Sequence, residues 1–232
     1  MTDGLALRNK VLHISTRNTL IFSAMREHRP RRQYRLRSRP HPLPSGALDD
    51  LRFIRETMER SSSFTAVPGW GMVAMGVTAL LATWLTSASL HLPRLAWLAV
   101  WITEAALAIT IGLIATWKKA QRAGVPLTSG PARKFMFSFL PGAVAGGVLT
   151  AALFRLGLAD LLPGIWLLLY GAAVTSAGSF SVSVLPLMGA GFMLTGIVTL
   201  ISPPGFHAAL LALGFGGLHI GFGYWIARRH GG

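Results

Sequence analysis

Leu95 to Trp117 reads LAWLAVWITEAALAITIGLIATW, and Glu104 is the one charged residue in it. A helix needs about 20 predominantly apolar residues to cross the hydrocarbon core of a bilayer, so this stretch can span on its own. Five more stretches share its character. Together the six candidate spans cover about residues 67–88, 95–117, 135–156, 161–179, 183–202 and 206–227. The last carries no charge apart from the histidines His207 and His219. Lipid cannot satisfy backbone polar groups, so each span must bond within itself as a helix. The alternating ten-residue segments of a membrane barrel are not the pattern here. The predicted fold class is therefore all-α, an integral membrane bundle of six transmembrane helices.

Basic residues set the expected orientation. Thirteen Lys and Arg lie in residues 1–60, ahead of the first span. Lys118, Lys119, Arg122, Arg133 and Lys134 flank the loop between spans two and three, and Arg228 and Arg229 follow span six. The opposite loops and adjoining span ends hold only Arg94 and Arg155. An even number of spans puts both termini on one side, and the basic side is expected to be cytoplasmic. The net charge of +14 is then an orientation signal, reinforced by attraction to anionic lipid of about 1 kcal/mol per basic residue near the surface. With no cysteine there is no disulfide, thiolate nucleophile or Cys-based metal site. The first 24 residues lack the apolar core of a signal peptide, so span one reads as a retained start-transfer helix. Met25 is a candidate later start.

Three segments are expected: a basic cytoplasmic arm (1–46), a juxtamembrane helix (47–63) and the transmembrane domain (64–232). Within the arm, residues 26–44 form an arginine- and proline-rich tract that cannot bury a core and is predicted to be largely disordered. Its expected partners are anionic headgroups. Nucleic acid is disfavoured, since Tyr34 is the one aromatic residue interleaved with the arginines. In the second segment Leu48, Leu51, Ile54 and Met58 recur at helical spacing, with Phe53 beside them. Arg52 with Glu56, Arg55 with Glu59 and Glu56 with Arg60 sit four apart and can pair weakly. A short amphipathic helix follows from this pattern. It could rest on headgroups or dock a cytoplasmic protein or a second copy of the chain.

The string from Leu51 to Gly71, LRFIRETMERSSSFTAVPGWG, resembles the juxtamembrane signature of uncharacterised bacterial multi-pass inner-membrane proteins. The resemblance implies a bacterial inner-membrane location and carries no activity with it.

Ionisable residues inside spans are costly and are functional candidates for that reason. Glu104 lies near mid-bilayer in span two, where a lone carboxylate must be protonated or paired. His219 lies in span six, within about 5 Å of the same depth at 1.5 Å per residue. The two could share a proton, as a proton-coupled carrier requires, or simply bond helices together. Arg155 and Asp160 bracket an outer turn and are expected at the interface. Ala212, Gly216, His219 and Gly223 fall on one face of span six, a close-packing face rich in small residues. Pro68 and Pro163 are each followed by Gly eight residues later, at Gly76 and Gly171, which hints at an inverted three-plus-three duplication. The alternative is plain helix-start punctuation by proline, which covers Pro141 and Pro204 too. Ser176 or Ser179 with His219 superficially resembles rhomboid proteases, but the chain reads Val174-Thr-Ser-Ala-Gly-Ser179 without that family's Gly-x-Ser-Gly. A catalytic residue, metal site or cofactor motif is therefore not assigned.

Three functions remain in order: a non-enzymatic membrane protein that scaffolds or regulates a partner through its basic cytoplasmic face; a small proton-coupled transporter using Glu104 and His219; and, remotely, an intramembrane hydrolase. The topology is testable directly. A fluorescent reporter fused after Gly232 should light up in the cytoplasm, and a signal confined to the periplasm would reverse the orientation.

Overall fold

The computed structural model describes residues 45–61, 63–88, 92–124 and 126–230. The chain divides into two units, residues 1–48 and 49–232. Only residues 45–48 of the first are described, as the opening turn of a helix, so the predicted disorder of the arm lies outside the described residues. The helices are α1 (Ser45–Ser61), α2 (Gly69–Ala88), α3 (Arg94–Arg122), α4 (Gly130–Arg155), α5 (Leu162–Gly178) and α6 (Val184–Ile201). A single-turn 3-10 helix, Ala159–Leu161, leads into α5. The last span is composite. A 3-10 turn at Pro204–Phe206 is followed by α7 (His207–Leu211), a π-helical segment (Ala212–Leu218) and α8 (His219–His230). Six segments are long and apolar enough to cross a membrane, and the protein is an all-α membrane bundle.

Two spans are longer than the hydropathy suggests. Helix α3 runs to Arg122, and α4 begins at Gly130 rather than near 135. Helical hydrogen bonding does not stop where the side chains turn polar. Lys118, Lys119, Arg122, Arg133 and Lys134 therefore sit on helix ends, and the turn between is short, with Gly124 at φ +63°. Pro141 lies inside α4, so it is not the helix start that punctuation would make it. Pro163, in the first turn of α5, and Pro68, just before α2, do occupy helix starts.

The closest backbone contacts join two helix pairs. Gly164, Gly171 and Gly178 recur every seventh residue of α5, and Gly189 and Gly196 do so on α6. Seven residues are nearly two helical turns, so each set forms one edge. A Cβ on Gly171 would lie 2.7 Å from the Gly189 carbonyl oxygen, and one on Gly196 would lie 2.7 Å from the Leu168 nitrogen. The second pair joins α2 to the last span. There a Cβ on Gly76 would lie 2.7 Å from the Gly216 carbonyl oxygen, and one on Gly223 would lie 2.8 Å from that of Gly69. Close approach through small residues is what holds helices together where lipid removes any hydrophobic drive between them. Helices α3 and α4 flank these pairs. Their outer faces, including Ile102, Ile109, Leu113, Val144 and Val148, are exposed and meet lipid.

The basic end carries a clasp. Residues before α2 run extended across it with Phe64, Ala66 and Val67 buried. Phe64 N–H donates to Phe180 O at 2.7 Å, and Ser181 Oγ donates back to Phe64 O at 2.6 Å. The Phe64 ring meets Phe135, centroids 5.3 Å apart, and Lys119 Nζ donates to Val67 O at 2.8 Å. At the opposite end Arg94 reaches the turn between α4 and α5. It lies 3.8 Å from Asp160, with both side chains about two-thirds exposed, so the pair is worth at most about 1 kcal/mol.

Glycine placement makes a sharp comparison. Gly171→Ala should destabilise the bundle by about 1–3 kcal/mol, because the new methyl meets backbone that cannot move aside. Gly147→Ala, where nothing lies within 4 Å of the added Cβ, should stay within about 0.5 kcal/mol of the parent. Reversible unfolding in mixed micelles reads both.

Candidate functional site

The interior polar groups lie between helices, each bonded across one interface. Helix α3 is largely lipid-facing, yet it turns Trp101 and Glu104 inward, 5% and 8% exposed. They are three residues apart, on one face. Thr78 Oγ1, on α2, donates to Glu104 Oε1 at 2.9 Å. The same hydroxyl lies 2.9 Å from the Met75 carbonyl. The Ala74 carbonyl lies 3.3 Å from it as well. One hydroxyl carries one proton, so the three acceptors compete for it. A proton on Glu104 would withdraw the carboxylate from that competition, with Glu104 donating to Thr78 and Thr78 to a carbonyl of its own helix.

His219 opens α8 and is buried. Its backbone N–H points to Gly216 O at the end of the π segment. The imidazole Nδ1 lies 2.9 Å from the Phe215 carbonyl, one helical turn back. A carbonyl only accepts, so Nδ1 carries the hydrogen. In the neutral ring Nε2 is then the acceptor, and Tyr170 Oη donates to it at 2.7 Å. Rings close around this pair. The imidazole packs against Phe192 and stacks 18° from parallel with Phe215, while Tyr170 meets Phe192 and Phe139 edge-on. Phe192 is fully buried.

A third polar contact extends the aromatic core. Trp97 stacks on Trp166, with centroids 5.5 Å apart and planes 4° from parallel. Trp166 Nε1 donates to Thr150 Oγ1 at 2.8 Å, and Thr150 donates to Gly146 O at 2.7 Å. Trp101 Nε1 is different. It is buried and has no hydrogen-bond partner among the described residues.

Glu104 and His219 do not share a proton in this geometry. Glu104 is bonded to Thr78, and His219 to Tyr170 and the Phe215 carbonyl. The expected single face of span six is divided. Gly216 and Gly223 turn to α2, meeting Leu80 with Gly76 and Gly69 with Met72, whereas His219 turns to Tyr170 and Phe192. Ala212, half-buried, opens the π segment. Neither Ser176, exposed, nor Ser179, which donates to Thr175 O, is bonded to His219, so the histidine activates no serine here.

On α1 the expected docking residues are uncovered. Leu51, Ile54 and Met58 are 55%, 52% and 68% exposed, and Phe53 is 70% exposed. The side chains of Leu48, Arg55, Glu56, Glu59 and Arg60 are outside those described, and with them the expected four-apart ion pairs. Among the described residues no cluster of three His, Asp or Glu could hold a metal ion.

Sequence reasoning missed Tyr170, Trp166 and Thr78. Tyr170 had a readable signal. Tyrosine belongs at membrane interfaces, and one in mid-span, with its hydroxyl out of water, needs an internal partner.

The Tyr170–His219 bond should behave as helix glue. A double-mutant cycle of Tyr170→Phe with His219→Gln should return a coupling of about 0.6 kcal/mol, and no more than about 1.7; a larger value would mark a specialised pair. No family model, curated protein or solved structure matches the chain.

Proposed function

We propose that the chain is a non-enzymatic protein of a bacterial inner membrane, both termini cytoplasmic, that recruits or regulates a partner through its basic inner face. The observation that carries this reading is the uncovered apolar stripe of α1. Leu51, Ile54 and Met58 share one face and remain more than half exposed, and Phe53, on another face, is exposed as well; the remaining described side chains of the helix are mainly charged or small. Amphipathic helices offer i, i+3, i+4, i+7 anchors to a groove on a partner. The interior supports the same reading. His219 has both ring nitrogens bonded, Glu104 is bonded to Thr78, and the helix pairs touch at backbone, which describes a rigid bundle rather than a moving one. The positive balance of the inner loops supports the orientation.

A proton-coupled carrier is the second reading, favoured by two observations. The π segment beside His219 is of a kind found at functional sites. Between α2 and α3, Thr78 Oγ1 faces three acceptors while Trp101 Nε1 has none among the described residues, so a proton on Glu104 changes the local bonding.

A photo-crosslinking residue at Met58 separates the readings. It should capture a polypeptide of defined mass in cells, either a second copy or a distinct protein, and Leu51→Glu with Ile54→Glu should abolish capture. Capture of lipid alone would overturn the recruiting role. Proton entry into dye-loaded proteoliposomes, abolished by Glu104→Gln and His219→Gln alike, would replace it with the carrier.

A further inference from the structure

Helix α4 begins at the basic end with Gly130, Arg133, Lys134, Phe137 and Ser138 on one face, at spacings of three, four, seven and eight residues from Gly130. These side chains and Phe180, from the α5–α6 turn, line a cleft of about 380 Å³. That lies within the range of about 300–1,000 Å³ usual for small-ligand sites. Lys134 Nζ sits 5.9 Å over the centroid of the Phe180 ring. The wall formed by Phe180 is fixed in advance, since its carbonyl accepts the Phe64 N–H of the clasp.

We infer that this cleft binds the phosphodiester headgroup of an anionic phospholipid. Three features select that chemistry. Arg133 and Lys134 supply two cations one turn inside a helix N-terminus, where the backbone dipole adds to their attraction for an anion. Ser138, on the same helix face, adds a hydroxyl to the lining. Phe137 and Phe180, 64% and 39% exposed, continue the cleft as an apolar wall toward the membrane-crossing part of α4. A free phosphate would use the cations and leave that wall uncovered, whereas a lipid covers both, its headgroup at the basic rim and an acyl chain along Phe137. Basic pockets between helices on the cytoplasmic side take lipid headgroups in this way. The site stands whether or not α1 recruits a protein.

The test is lipid retention by the full chain. Protein released from nanodiscs of phosphatidylcholine and phosphatidylglycerol in equal parts is examined by native mass spectrometry. The parent should keep one phosphatidylglycerol in preference to phosphatidylcholine. R133Q with K134Q should reduce that preference about 30-fold, two basic contacts' worth. K118Q, a charge lost elsewhere on the same face, should leave it unchanged. If the double variant does not fold, R133Q and K134Q made singly should each lose about fivefold. Equal loss in K118Q would show diffuse surface charge and overturn the site. Retention unaffected by F137S, together with displacement of the lipid by millimolar inorganic phosphate, would make it a site for a soluble anion and overturn the assignment to lipid.

Discussion

Everything in this bundle depends on backbone-to-backbone contact between helices. In water a six-helix protein is held by burial of apolar surface. In lipid the surroundings are as apolar as leucine, and that drive is absent. What remains is dispersion over closely fitted surfaces, with each atom pair giving only about 0.1–0.2 kcal/mol. Only many contacts at short range can add up, and a Cβ at the crossing points would forbid them. Hence Gly171 lies against Gly189, and Gly76 against Gly216. The polar contacts are secondary. Thr78 with Glu104, Thr150 with Trp166 and Tyr170 with His219 each cross one interface, and each fixes the register of helices already in contact.

Hydropathy alone made the six helices legible, because lipid imposes length and apolarity on every span. The polar ends of α3 and α4 were not legible, since helical bonding continues past the last apolar residue. Glycine was visible as an abundance, but its pairing was not. The glycines at Gly76 and Gly171, counted from Pro68 and Pro163, belong to the two close-packed edges, one of which joins spans one and six. A periodic pattern tells which face of a helix is small. It does not tell which helix will meet that face.

The interior site was half legible. Glu104 and His219 drew attention as charges in hydrocarbon, and both are indeed buried. Their partners escaped because a threonine, a tyrosine and a backbone carbonyl look ordinary in sequence. The π segment escaped for a related reason. It widens the turn between Ala212 and Leu218, which a regular helical projection of span six does not anticipate. The Leu51–Gly71 string acquires a physical account: its Phe64, Ala66 and Val67 fill the basic end of the bundle, and Gly69 lets α2 meet α8 at Ala227.

The clasp has a consequence for biosynthesis. Phe64 and Ser181 are 117 residues apart. A chain made from its N-terminus at about 5–20 residues per second exposes Phe64 many seconds before Ser181 exists. Until the fourth segment has been made, Phe64 lacks the Phe180 and Ser181 partners that complete its seat. This interval is the point in the protein's life when a chaperone or insertase would have most to hold, and when premature release would be most harmful.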